Sequence, residues 1–226
     1  ERLPRLLGLD DGPHDFPNAA GVIAELARRN RGLHLGSTGR MFEALVPTVL
    51  GQRVTTKEAK RSYYSLVREY GERAPGPAGL RLPPAPERLA GLAHEEFHRH
   101  GIERSRADIL RETARRAKRL DAAVDLEKAD AYSRLHAIRG IGAWTSGHVM
   151  GAAWGDRDAV PVGDFHLPNT VAWLLAGEAR ADDDRMLALI EPYRPQRRRL
   201  IILVKRSGVG APKFGAKTPI HDIRHH

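Results

Sequence analysis

The chain has 226 residues, with 37 Lys plus Arg against 28 Asp plus Glu, a formal net charge of +9 and no cysteine. That length makes one domain or two small ones, with enough chain to bury a core. A content of 41% hydrophobic and 29% charged residues excludes wholesale disorder. The lack of cysteine removes disulfides, thiolate nucleophiles, cysteine-ligated zinc and iron–sulfur clusters, and fits a reducing compartment such as the cytoplasm.

The chain opens at Glu1 with neither an initiator Met nor a signal-peptide pattern, so the native beginning is expected to be missing. Residues 19–30 place Val22, Ile23, Leu26 and Ala27 on one helical face, with Arg28 and Arg29 opposite. Ser37 or Thr38 is the expected cap of a helix carrying Met41, Phe42, Leu45, Val46, Val49 and Leu50, with a kink at Pro47. Thr55 or Thr56 caps the next, whose apolar stripe is Ala59, Tyr63, Leu66, Val67 and Tyr70, and Gly71 ends it. Residues 74–86 hold five of the 15 prolines and read as a surface loop. Short helices follow at 86–92 and 93–99, and a long one at 104–120 with Ala107, Leu110, Ala114 and Ala117 inward. Further helices are expected at 128–137, 143–154, 167–176, 182–191 and 195–207, and residues 208–226 form a basic tail. No alternating strand pattern, no repeat and no apolar run of about 20 residues interrupts this series, so the class is all-α and no membrane partner is expected.

Two stretches carry chemistry. Residues 135–148, LHAIRGIGAWTSGH, read as helix, tight turn, helix. Leu135 and Ile138 anchor the turn, and Gly140 and Gly142 bracket Ile141. Such glycines let a backbone turn at positive φ and approach another molecule closely, and a new helix starting at Ala143 or Trp144 offers unpaired N–H groups to a phosphate. A plain turn is the bland alternative. Residues 158–168, DAVPVGDFHLP, deliver Asp164 immediately before a helix. There it is an N-cap, or a carboxylate that stabilises an oxocarbenium-like sugar or activates water, or both. His166 is a phosphate donor or an ordinary surface histidine. The excess base suits a nucleic-acid partner, or else reflects a generally basic proteome.

A hairpin with Gly-Ile-Gly, followed some 20 residues later by a Gly/Pro-rich loop ending in Asp, resembles the helix-hairpin-helix (HhH-GPD) DNA glycosylase superfamily. GIGAWT is similar to the hairpin of its bacterial 3-methyladenine DNA glycosylase II branch. VLGQRVTTKEA at 49–59, LRLPPAPERLAGL and GIERSRADIL keep the family's order, so the likeness spans roughly residues 16–207. The resemblance implies two helical subdomains, 41–156 and 1–40 plus 157–207, with a DNA cleft between them. It implies Asp164 as the catalytic carboxylate, and Gln52 and Arg53 as a wedge that fills the space of a flipped nucleotide. Arg53 departs from the apolar residue often found there. Trp144 takes the position of the Schiff-base lysine of bifunctional members, so no lyase step is expected. Trp144 and His148 would line the base pocket, although His148 stands where that branch puts an aromatic wall. Gly140, Ile141, Gly142, Thr145 and His166 would meet DNA. The carbonyls of His136, Ile138 and Gly140 would hold a structural Na+ or K+, and no cofactor is required.

The expected activity is monofunctional hydrolysis of the N-glycosidic bond of a damaged, alkylated base in duplex DNA, by a monomer in base excision repair. The rivals are a non-catalytic hairpin module, for which Asp164 would have no use, and a glycosylase for another lesion class. A third reading starts from His94-Glu95-Glu96-Phe97-His98, a literal H-E-x-x-H. Two histidines at i and i+4 can bind zinc, but Gly101 closes the segment early and no third ligand is evident. Arg197, Arg198 and Arg199 read as the start of a core helix, with one arginine reaching phosphate.

Overall fold

A computed structural model describes residues 3–11, 19–212 and 223. The described residues are helical, and their only strand-like pairing is an antiparallel bridge between Arg73 and Arg81 inside the proline-rich loop. Of the basic tail, residues 213–222 and 224–226, with Lys213, Lys217, Arg224 and the three histidines, lie outside the described part.

The chain divides into two compact units. A continuous unit runs Arg40–Thr145. A discontinuous one joins the stretch ending at Gly39 to the stretch beginning at Ser146. The first division falls between Gly39 and Arg40, one residue before the expected 40/41. The second falls inside the hairpin's second helix rather than after residue 156, for a local reason. That helix's later residues are bonded within the discontinuous unit: Thr38 and Gly39 donate N–H to the carbonyls of Ala152 and Ala153, each at 3.0 Å. A Cβ at Gly147 would collide with the Val160 carbonyl, and Arg198 Nη1 donates to the carbonyl of Gly151.

In the continuous unit, α3 (Met41–Leu50) carries Met41, Phe42, Leu45, Val46, Val49 and Leu50, all buried. It packs against α4 (Thr56–Tyr70), α7 (Arg104–Arg115) and α8 (Ala117–Asp121), while α5 (Pro86–Gly91) lies on α7. Neither Ser37 nor Thr38 caps α3: its N-cap position is Arg40, and the free N–H of Phe42 goes to Asp121 Oδ1 at 2.9 Å, from 79 residues on. Thr55 does cap α4, in a capping box with Glu58. The expected single helix at 104–120 breaks at Arg116. From Ala114 to Leu120 the buried residues recur at every third position, tighter than 3.6 per turn, and the local break keeps Ala117 and Leu120 facing the core.

In the discontinuous unit, α2 (Gly21–Arg29), α11 (Leu167–Ala176), α12 (Asp183–Ile190) and α13 (Arg197–Arg206) enclose a core built on Ile23, Leu26, Leu167, Val171, Met186, Ile190, Leu200 and Val204. Two buried carboxylates stitch it. Asp11 meets Arg199 Nη2 at 2.5 Å and Arg157 Nε at 2.7 Å, and also accepts the N–H of Leu35 at 2.8 Å. Asp158 receives Arg197 through two nitrogens, at 2.9 and 2.7 Å, and Arg194 at 2.8 Å. Breaking such a pair leaves a buried charge uncompensated, at a cost of about 3–5 kcal/mol. Arg197 and Arg199 are thus buried on core carboxylates, while the half-buried Arg198 donates to the Gly151 carbonyl.

Candidate functional site

The hairpin starts from α9 (Lys128–His136) and enters α10 (Ala143–Val149), which continues as a π turn at Met150–Trp154 ended by Gly155 at φ 93°. Leu135, Ile138 and Ile141 are buried at 0, 1 and 5% exposure, so the turn is bolted down by its apolar anchors. The two glycines differ. Gly140 sits at φ 91°, where a Cβ would overlap the Ile109 side chain of α7. Gly142 has no left-handed φ, is exposed, and a Cβ there would meet nothing within 4 Å. Gly142 is thus not required by the fold of the chain itself. The carbonyls proposed for a cation are neutral oxygens, the donor chemistry of Na+ or K+. Ile138 O accepts the N–H of Ile141 at 3.1 Å and Gly140 O accepts Gln52 Nε2 at 3.0 Å. Each carbonyl has a second lone pair, so His136, Ile138 and Gly140 fit such an ion.

The turn between α3 and α4 abuts the hairpin. A Cβ on Gly51 would stand 3.4 Å from Cη2 of Trp144, which is half-buried there. Gln52 Nε2 donates to Gly140 O at 3.0 Å and to Thr145 Oγ1 at 2.9 Å. Arg53 is exposed at φ 57°, the only left-handed non-glycine among the described residues. That conformation costs an L-residue about 1–2 kcal/mol and persists only where neighbours over-determine it. On the other side of Gly51, the buried Arg106 donates to the Leu50 carbonyl at 3.0 Å. The side chains of two expected DNA contacts are engaged inside the protein. The side chain of Thr145 is buried, its residue only 2% exposed, and serves Gln52. The amide of Gln52 is turned to the hairpin rather than outward.

Asp164 belongs to the discontinuous unit. Gly163 precedes it at φ 92°, its N–H on Asp183 Oδ2 at 3.0 Å. Asp164 Oδ1 accepts the N–H groups of His166 at 3.0 Å and Leu167 at 2.9 Å, an Asx-type turn that leads into α11 and fixes the carboxylate; the N-cap position itself is His166, not Asp164 as expected. Phe165 is 85% exposed, its ring edge-on to His166 at 4.9 Å. Burial pushes the half-buried His148 down to about 4; the charges of Lys205 and Arg198 act in the same direction and Asp164 opposes them. His148 is therefore a neutral imidazole at pH 7, within the field of Asp164.

His94, first of the H-E-x-x-H pair, lies with Nε2 2.7 Å from Asp108 Oδ1, on a six-residue helix, α6 (His94–Arg99). Among the described residues no three or more His, Asp or Glu side chains gather as a metal-holding group. Sequence reasoning missed Arg106, Ile109 and Phe165. Arg106 was detectable, since it shares the inward face of α7 with Leu110 at i+4. The exposure of Phe165 had no signal in the pattern.

A family model described as HhH-GPD superfamily base excision DNA repair protein matches residues 46–195. The Escherichia coli (strain K12) protein DNA-3-methyladenine glycosylase 2 is 26% identical over 186 residues, which are 81% of this chain; the match spans 65% of that enzyme's length. Among solved structures, a 3-methyladenine DNA glycosylase from Archaeoglobus fulgidus superposes with a TM-score of 0.77 at 21% identity, over 90% of this chain and 71% of that one. The Schizosaccharomyces pombe 3-methyladenine DNA glycosylase in complex with abasic DNA gives 0.70 at 19% identity, over 87% and 96%.

Proposed function

The chain belongs to the HhH-GPD superfamily of base excision DNA repair proteins, and on that premise we propose that it is a monofunctional DNA glycosylase that removes an alkylated base from duplex DNA. The relatives named as 3-methyladenine glycosylases support the substrate class. The observation that carries the reading is Asp164: a carboxylate whose Oδ1 is held by two backbone N–H groups in a turn that leads into a helix.

The chemistry asks little of the protein beyond charge and position. The base leaves the stack, which costs a few kcal/mol and favours weakened pairs. The bond from C1′ to the base nitrogen then breaks with its electron pair going to the base. An alkylated purine starts cationic and leaves neutral, so no proton need be given to it. Positive charge grows on the sugar, where Asp164 stabilises it. Water adds to C1′ and its proton passes to the carboxylate or to solvent. With no lysine in 135–148, no Schiff base forms there. Arg53 fills the space of the flipped nucleotide, Trp144 and His148 line the base pocket, and Gly140, Ile141 and Gly142 offer backbone to a phosphate. The side chain of Ile141 is an anchor, and His166, being exposed, contacts the backbone of the duplex. A monovalent cation at the carbonyls of His136, Ile138 and Gly140 would add a positive charge towards that phosphate. The protein acts as a monomer, and no helix among the described residues is long and apolar enough to cross a membrane.

The test is incubation with a panel of duplexes bearing single lesions, scoring abasic sites before and after mild alkali. Abasic sites on alkylated duplexes, with strand breaks only after alkali, are the expected result. Binding without excision on every duplex would leave a hairpin binding module.

A further inference from the structure

We infer that Gln52 is a positioning residue: its side-chain amide locks the turn that presents Arg53 to the phosphate-gripping hairpin, so that extrusion of a base and grip on the backbone are set in one register. The inference rests on the function proposed above. The orientation of the amide is forced, because Gly140 O accepts and cannot face Oε1; the end 3.0 Å from it is the nitrogen. Its second N–H goes to Thr145 Oγ1 at 2.9 Å, which is buried and depends on partners inside the protein. The two partners are 88 and 93 residues further along the chain. Both donors are spent within the protein, so no N–H of Gln52 remains for a base or a phosphate.

What the lock holds is the neighbouring residue. Arg53 has its backbone in the left-handed region and its side chain in solvent. Such a conformation needs support on both sides. Before Gly51, the buried Arg106 grips the Leu50 carbonyl. After it, Gln52 grips the hairpin, and the hairpin in turn rests on Ile109 through Gly140. Arg53, Gly140 and the start of α10 therefore form one braced piece within the continuous unit. A residue that merely touched DNA would act through affinity. A brace acts on the coupling between two steps.

The experiment compares wild type with Gln52→Ala, with Gln52→Glu, which keeps the shape and removes both donors, with Thr145→Val, and with the double variant Gln52→Ala/Thr145→Val. Three quantities are read: amide hydrogen exchange of the free protein at 51–54 and 139–145, extrusion of a base beside 2-aminopurine in a lesion duplex, and affinity for undamaged duplex. In both Gln52 variants, exchange is expected to quicken by about tenfold or more at both segments together, with the melting temperature nearly unchanged. In Gln52→Ala, which adds no charge, extrusion should fall about tenfold while undamaged-duplex affinity changes less than about threefold. Thr145→Val should show part of the effect and add nothing to Gln52→Ala. Unchanged exchange at the hairpin would overturn the brace. Equal loss of extrusion and undamaged-duplex affinity would also overturn it, making Gln52 a plain DNA contact. Should wild type excise no lesion, the proposed function fails, and hydrogen exchange still decides whether Gln52 braces the turn.

Discussion

Replacing Asp164 by Asn separates two things its carboxylate does. In the turn before α11, Oδ1 satisfies the N–H groups of His166 and Leu167 at 3.0 and 2.9 Å. An amide oxygen in the same place keeps both bonds, and Asn forms such a side-chain-to-backbone turn as Asp does. Stability should therefore change by less than about 1 kcal/mol, or about 2–4 °C in a chain of this size. Asp164→Ala, which loses both bonds, should cost about 1 kcal/mol more. As a catalyst, the group must be anionic when the sugar becomes cationic, and removing such a contact typically lowers the rate about 10²–10³-fold. Nor does the mutation create a substitute charge. Asp164 is what favours protonation of His148, so without it the imidazole stays neutral at pH 7. Lesion-duplex affinity should hold or improve, since a carboxylate no longer repels phosphates. The assay is single-turnover excision beside equilibrium binding on the same alkylated duplex. Excision within about threefold of wild type by a folded Asp164→Asn protein would refute the catalytic assignment.

Gly142→Ala should leave the melting temperature unchanged, because its Cβ meets nothing in the free chain; a drop in affinity for damaged and undamaged duplex alike then reports close approach by DNA backbone, while unchanged affinity places the grip elsewhere. Arg53→Gly should be more stable to denaturant than Arg53→Ala by about 1 kcal/mol, since only glycine relieves the left-handed φ; both should lower excision more than undamaged-duplex binding, and equal losses would make Arg53 a phosphate contact. Folding holds His148 neutral down to about 4, whereas the unfolded chain binds that proton near 6.5. Its contribution is complete above about pH 6.5 and is lost as pH falls towards 4, by about 3 kcal/mol in all. His148→Gln should flatten the fall of melting temperature over that window, and an unchanged slope would count against a buried neutral imidazole. Burial lowers His100 too, so some acid sensitivity should survive the substitution.

Short-range physics was legible in the sequence. Thr55 with Glu58 three residues on is a local capping signal, and the structure makes both reciprocal bonds. The anchors Leu135 and Ile138 follow from periodicity, and both are buried. Legibility ended where a partner is distant in sequence. The cap of α3 comes from Asp121, and no local pattern at Ser37 or Thr38 competes with it. The run Arg197–Arg199 reads as the start of a core helix, but its buried partners Asp11 and Asp158 carry no signal near it. Gly140 and Gly142 look alike in the string, yet only the first is bent to a left-handed φ over Ile109. At the site, the residue types were readable and their orientations were not: Gln52 was read as part of the wedge, and its amide faces the hairpin.

The ion pair of Asp11 with Arg199 joins residues 188 apart in sequence. On a ribosome, where synthesis runs amino-terminus first at about 5–20 residues per second, that distance becomes time. The helices that pack on α3, namely α4, α7 and α8, all precede Thr145, so that core can be completed during translation. The segment before Arg40 cannot: Ile23 and Leu26 must wait, with their apolar face uncovered, until α11 to α13 have been made. The order of assembly is thus written into the connectivity, and the early helix α2 is where a nascent-chain chaperone would find its longest-lived target.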